Sequence, residues 1–154
     1  VRSLGAETVF VTLHVGWDSF RPVKTDDPSS HRMHSEYWEL GREAADAINR
    51  ARAEGRRVVS VGTTAVRLLE QAAVLAGKND GSLAAGSGWA NLYILPGYRF
   101  RAVDALVTNF HLPRSTLLML TSAFAGCDLV LDAYRQAAEQ RYRFYSFGDA
   151  MMLL

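Results

Sequence analysis

The chain alternates short apolar or β-branched runs with longer segments of helical spacing. Residues 8–13, Thr-Val-Phe-Val-Thr-Leu, predict a buried strand that ends at His14-Val15-Gly16. A polar loop over 17–28 follows, and 31–38 reads as an edge strand or a loop. Over 43–54 the residues Ala44, Ala47, Ile48 and Ala51 recur on one helical face, and Gly55 supplies a stop. Residues 58–61 predict the next strand. Gly62-Thr63-Thr64 then turns into a helix with Ala65, Leu68, Leu69, Ala72 and Leu75 inward and Gly77 as terminator. A Gly/Ser-rich loop over 78–88 leads to a strand over 89–95, a turn at Pro96-Gly97 and a further strand over 100–108. Apolar spacing resumes as a buried helix from Ser115 to Phe124. A last helix spans 128–140, with Leu131, Tyr134 and Ala138 on one side, and 143–152 reads as a closing strand.

Strands alternating with helices argue for an α/β fold: a layered, mixed and largely parallel sheet flanked by helices. The 154 residues suit a single α/β domain over 1–154, long enough to bury a core without staples. No internal repeat or low-complexity tract interrupts it. Val1 to Leu4 before Gly5 reads as the tail of a helix, and no methionine opens the chain, so a fragment of a longer protein is expected.

Composition narrows the picture only a little. Hydrophobic residues make up 49% and charged residues 21%, as in ordinary globular proteins, and the formal net charge of +1 leaves nucleic-acid binding to local patches. The one cysteine, Cys127, excludes a disulfide framework within the chain and points to a reducing, cytoplasmic compartment. The most apolar run, 117–127, is shorter than the ~20 residues a bilayer span needs, so no membrane partner is expected. The N-terminus has no charged-then-apolar signal design.

In open α/β sheets, ligands sit beyond the carboxyl ends of the strands. Here the predicted strand ends carry His14-Val15-Gly16, Gly62-Thr63-Thr64 with Arg67 one turn on, and Asn109-Phe110-His111. Glycine admits a ligand to the backbone, a threonine can cap the helix, and the free N–H groups of its first turn can hold a carboxylate or phosphate. In the link Asn109-Phe110-His111-Leu112-Pro113-Arg114-Ser115, Pro113 ends the extended segment and Ser115 is a helix cap. Those structural roles leave Asn109 and His111 unexplained. All four histidines, His14, His31, His34 and His111, fall in these special segments and none on a helix, which points to proton-transfer chemistry. His31-x-x-His34-x-Glu36 carries metal-ligand residue types, but the spacing fits no familiar zinc pattern, and a hydrogen-bonded substrate contact is the better reading. Arg21 can grip a carboxylate or phosphate with its fork. Arginines at 50, 52, 56 and 57, and at 135, 141 and 143 beside Tyr142, Phe144 and Tyr145, form a weaker candidate nucleic-acid surface.

Taken together, the motifs HVG…FRPV, HRMHSE, VGTTAVRLLE, GW…PGYRF…VDALVTNFHLPRSTLLMLTSAFAG and YRFYSFGDAMMLL resemble the S-adenosylmethionine:tRNA ribosyltransferase-isomerase family of queuosine biosynthesis, in order from about Val9 to Leu154. The resemblance implies an enzyme that moves the ribosyl part of S-adenosylmethionine onto the aminomethyl group of a deazaguanine at the tRNA wobble position. The product is epoxyqueuosine-tRNA, with adenine and methionine released. It implies no cofactor, because S-adenosylmethionine is consumed as a substrate, and no metal. The partners it implies are S-adenosylmethionine, tRNA carrying the aminomethyl-deazaguanine, and the missing N-terminal half of the same enzyme. The family fold is an α/β domain with an inserted β-barrel, and this chain resembles only the C-terminal portion, without the barrel.

On that resemblance His111 or His14 is expected as base or acid, with Asn109 and Thr63 orienting the ribose or base. Gly62, Thr63, Thr64 and Arg67 are expected to hold the methionine carboxylate or a tRNA phosphate. Arg21, His34, Glu36 and Ser115 complete the expected substrate contacts. Where the commoner family form has small residues after HVG, this chain has Trp17-Asp18-Ser19, and Ala65 stands where the family often has Ser. Two other classes compete: a catalytically inactive tRNA- or nucleotide-binding remnant, and a metal hydrolase built on His31, His34 and Glu36.

Overall fold

A computed structural model describes residues 2–16, 22–25, 27–77 and 80–154. Four α-helices and two small sheets make a mixed α/β fold among these residues. The first sheet has the order β1-β2-β4, from Thr12–His14, Glu36–Leu40 and Gly86–Ala90, and both of its pairings are antiparallel. The second has the order β3-β5-β6, from Val59–Val61, Ala105–Asn109 and Ala150–Leu153. Only β3 and β5 run parallel, while β6 returns antiparallel on β5. The expectation of one largely parallel sheet is therefore corrected. Its hydrophobic runs were real, but apolar content alone does not specify strand direction.

Helix α1 spans Arg42–Ala53 and buries Ala44, Ala45, Ala47 and Ile48, close to the predicted face. Helix α2, Thr63–Ala76, is the hub: it packs against both sheets and against α3. Nine of its fourteen residues are buried, among them the polar Thr63, Arg67, Glu70 and Gln71, so most of its circumference is enclosed, as in a core helix. Val66, Leu68, Leu69, Ala72 and Ala73 join Trp38, Leu40, Leu106 and Leu120 in the core. Leu75, expected inward, is 62% exposed because the helix is leaving the core by its last turn. Helix α3 spans Thr116–Ala125, and α4, Cys127–Glu139, follows after a sharp turn at Gly126, whose φ is +92°. In α4 the buried residues are Val130 and Ala137, with Leu131 exposed, so the inward face is shifted from the predicted one. Among the described residues no single helix is long and apolar enough to cross a membrane, and α3 and α4 are bent by 114°.

Several predicted strands are shorter than their apolar runs, each for an identifiable reason. The fully buried Glu70 of α2 accepts the N–H groups of Arg101, Ala102 and Val103, so these residues never enter the ladder and β5 starts at Ala105. Gln71 likewise accepts the N–H groups of Asn91 and Leu92, and β4 occupies Gly86–Ala90 instead of 89–95. Asp149 takes the N–H of Arg143, and β6 begins only at Ala150. The run 8–13 contributes only Thr12 and Leu13 to β1, because β2 ends its pairing at Leu40 and gives way to α1; Phe10 is left 81% exposed. The segment 31–38, expected at an edge or in a loop, yields the central strand of the first sheet.

Candidate active site

The carboxyl ends of the parallel pair β3 and β5 open into a cavity of 430 Å³, a size ordinary for small-molecule sites. Val61 and Val107 form its apolar floor with Val15, Leu117 and Ala150. Gly62, Thr63, Thr64, Arg67, Thr108, Asn109, His111 and Ser146 supply polar groups around it. Two of the strand-end motifs singled out in the sequence thus converge here, together with Val15 from the third.

Gly62 is the N-cap of α2 with φ +89°, a left-handed conformation that favours glycine. Its N–H donates to Val107 O at 2.8 Å, which extends the β3–β5 ladder to the mouth of the cavity. Among the described residues no side chain caps the helix. The expected threonine cap is absent, Thr63 being the first helical residue. The first-turn N–H groups of α2 are thus left to a ligand or solvent, with the helix dipole behind them.

Arg67, one turn further on, is 5% exposed. Its Nη1 donates to Oε2 of Glu36, which is 2% exposed. The other carboxylate oxygen lies 3.4 Å from His34 Nε2. The inward phase of β2 explains why this carboxylate is buried: Glu36, Trp38 and Leu40 share the core face. Burying both charges is tolerable because they neutralise each other. Nε and Nη2 of Arg67 are buried and carry no hydrogen bond among the described residues. Two donors of a fixed guanidinium fork therefore stay unused in a side chain that lines the cavity.

His111 is 7% exposed and lies 2.9 Å from Thr108 Oγ1 through Nε2. Its backbone N–H donates to Tyr134 Oη at 2.6 Å, which ties the link to α4. Burial penalises the charged ring and pulls its pKa down from 6.5 to about 4. The imidazole is neutral at pH 7. Asn109 Nδ2 donates to Tyr145 O at 2.8 Å and so holds the segment that brings Ser146 to the cavity.

Other predicted residues lie elsewhere. His14 is exposed on β1, 3.6 Å from Glu39, and does not line the cavity. Ser115 caps α3 by accepting the N–H of Leu118 at 3.1 Å and donates to Leu112 O at 2.7 Å, so its hydroxyl is engaged in the turn. His31 packs edge-on against Tyr93. Arg21 and Trp17-Asp18-Ser19 lie outside the described residues. Among the described residues no group of three or more His, Cys, Asp or Glu is placed to hold a metal. The arginines read as a nucleic-acid surface are largely paired with carboxylates: Arg50 with Glu7, Arg56 with Glu54, Arg135 with Asp132 and Arg143 with Asp149. Their aromatic neighbours Tyr142 and Phe144 pack on Phe110.

Thr108, Ser146 and Tyr134 were missed by sequence reasoning. Thr108 was legible in principle, as a lone hydroxyl in a buried phase of β5 three residues before His111. Ser146 and Tyr134 carry no such local signal, since long-range packing alone brings them in.

The chain matches the family described as queuosine biosynthesis protein over residues 1–153. It is 58% identical over 150 residues to an S-adenosylmethionine:tRNA ribosyltransferase-isomerase of Symbiobacterium thermophilum, covering 97% of this chain and 43% of the relative. It is 57% identical over 154 residues to the enzyme of that name from Moorella thermoacetica, covering 100% of this chain and 44% of the relative. The crystal structure of an S-adenosylmethionine tRNA ribosyltransferase from Thermotoga maritima superimposes with a TM-score of 0.67 at 48% identity, over 77% of this chain and 41% of that one. The chain thus spans less than half the length of the relatives it matches.

Proposed function

The chain belongs to the queuosine biosynthesis protein family, and on that premise we propose that it carries catalytic and binding groups of an S-adenosylmethionine:tRNA ribosyltransferase-isomerase. The proposed reaction transfers and isomerises the ribosyl moiety of S-adenosylmethionine onto the aminomethyl-deazaguanine at the tRNA wobble position. Epoxyqueuosine-tRNA forms, and adenine and methionine leave. S-adenosylmethionine is the consumed substrate and no further cofactor is invoked. The remaining length seen in the relatives supplies the rest of the tRNA and substrate contacts.

The observation that carries this reading is the cavity at the β3 and β5 ends, where an apolar floor meets a buried guanidinium with unused donors and a neutral imidazole. The floor suits a purine and an aliphatic chain. Arg67 and the first turn of α2 suit the substrate's carboxylate, the planar anion that matches a guanidinium fork. Glu36 holds Arg67 in place and is backed by His34. The sulfonium of the substrate acidifies the adjacent carbon. His111, unprotonated at neutral pH, takes that proton on an imidazole nitrogen and gives it to adenine as the C–N bond breaks. Thr108 orients the ring, and Thr63 and Asn109 line the path of the ribose.

The test is adenine release by the complete gene product, supplied with S-adenosylmethionine and tRNA bearing the aminomethyl-deazaguanine. The expected result is release that requires both substrates. No release with both substrates present, or release from S-adenosylmethionine alone at an unchanged rate, overturns the assignment.

A further inference from the structure

Between α4 and β6 the chain runs as a short strap over 143–149, and its Ser146 lines the cavity. The strap is tied at its base and at its middle. At the base, Asp149 accepts the backbone N–H of Arg143 and also its guanidinium, Nε at 3.2 Å and Nη2 at 3.1 Å. In the middle, Tyr145 N–H donates to Phe110 O at 2.9 Å, and Tyr145 O accepts from Asn109 Nδ2 at 2.8 Å. Both middle anchors immediately precede His111 in the chain.

Tyr145 has a φ of +60°, in the left-handed region that a bulky residue rarely adopts. Such a backbone persists only where its surroundings over-determine it, and ligand sites are where it gathers. Phe144 packs on Phe110 and locates the start of the strap. Tyr145 itself is 38% exposed, so its conformation is left mainly to the two hydrogen bonds. What they hold in place is the next residue, Ser146. Its hydroxyl makes no hydrogen bond among the described residues. The charges of the strap, Arg143 and Asp149, are spent on each other. This wall therefore offers the cavity a neutral donor and acceptor, whereas Arg67 and the first turn of α2 supply the positive one. A neutral hydroxyl suits the hydroxyl-bearing part of a ligand, and the positive wall suits its carboxylate.

We infer that Ser146 is a substrate-binding residue that hydrogen-bonds a ribose hydroxyl of the ligand, and that Asn109 is a positioning residue that acts through it by clamping Tyr145. The inference rests on the reading of the cavity as an S-adenosylmethionine site.

The test is calorimetric binding of S-adenosylmethionine to the complete gene product, alongside the kinetics of adenine release. Ser146→Ala should weaken binding roughly fivefold, the loss of one neutral hydrogen bond. KM should rise to match, with kcat little changed. Asn109→Ala should weaken binding to a similar extent. The double variant Asn109→Ala/Ser146→Ala should bind no more weakly than the weaker single variant, because the clamp acts only through the hydroxyl. Additive losses overturn the clamp, since Asn109 then meets the ligand itself. Wild-type affinity in Ser146→Ala overturns the binding role of the strap. That variant removes no hydrogen bond of the fold, so it stays decisive where Asn109→Ala melts early. A Ser146-dependent affinity in a protein that releases no adenine keeps the strap and removes the proposed reaction. A wild-type protein that does not bind S-adenosylmethionine overturns both.

Discussion

Arg67 of α2 donates to Glu36 of β2 between two side chains that are 5% and 1% exposed, joining the first sheet to the hub helix at the wall of the cavity. The two residues are 31 positions apart in the chain. Among the described residues their pairing leaves Nε and Nη2 of the guanidinium without a hydrogen bond, in a side chain that lines the cavity.

Removing one charge strands the other. Glu36→Ala should destabilise the protein by about 3–5 kcal/mol in urea unfolding. The double variant Glu36→Leu/Arg67→Met removes both charges and should recover most of that stability, yet release no adenine. Full stability with retained turnover in the double variant would show that the pair serves neither anion binding nor catalysis.

His111→Gln should lower kcat for adenine release by about a hundredfold or more, the usual contribution of a positioned acid–base group. KM for S-adenosylmethionine should move little. An unchanged kcat removes the imidazole from the chemistry.

The same histidine makes stability depend on pH. The folded protein holds the ring at about 4 against its ordinary 6.5, so the unfolded state binds more protons in between. The stability at stake is complete above about pH 6.5 and is lost as the pH falls toward 4. The difference is about 3 kcal/mol. Urea titrations of wild type and His111→Gln across this range should diverge by that amount, with the wild type losing more. Parallel curves would mean that the ring is solvated.

Gly62→Ala isolates a backbone effect. A Cβ at this position meets nothing within 4 Å, but φ is +89°. The cost should therefore be conformational alone, about 1–3 kcal/mol, read as a lower melting temperature. A neutral result would mean that the turn relaxes to another conformation and that the N-terminus of α2 is not rigidly posed.

Much of the fold was legible locally. Periodicity located α1, α2 and α3 within a residue or two, and Ser115 marked the start of α3 through its cap. The strand-end motifs at Gly62-Thr63-Thr64 and Asn109-Phe110-His111 did converge. Strand extents were harder to read because the competitors for backbone N–H groups are side chains on another element. Glu70 and Gln71 look like ordinary helix polar residues until α2 is buried against the loops they capture. His14 and His111 were indistinguishable as candidates for the same reason: both follow apolar strand residues, and only packing buries one and exposes the other.

By itself, then, the sequence determined the helices, the cap at Ser115, the family resemblance and the chemistry-bearing strand ends. These follow from local spacing and residue type, which do not depend on what a segment packs against. Tertiary structure decided strand direction, the partner of Arg67, the depressed proton affinity of His111 and the hold of Asn109 on Tyr145. Each of these depends on atoms brought together from distant positions, where burial sets the cost of every unpaired charge and hydrogen bond.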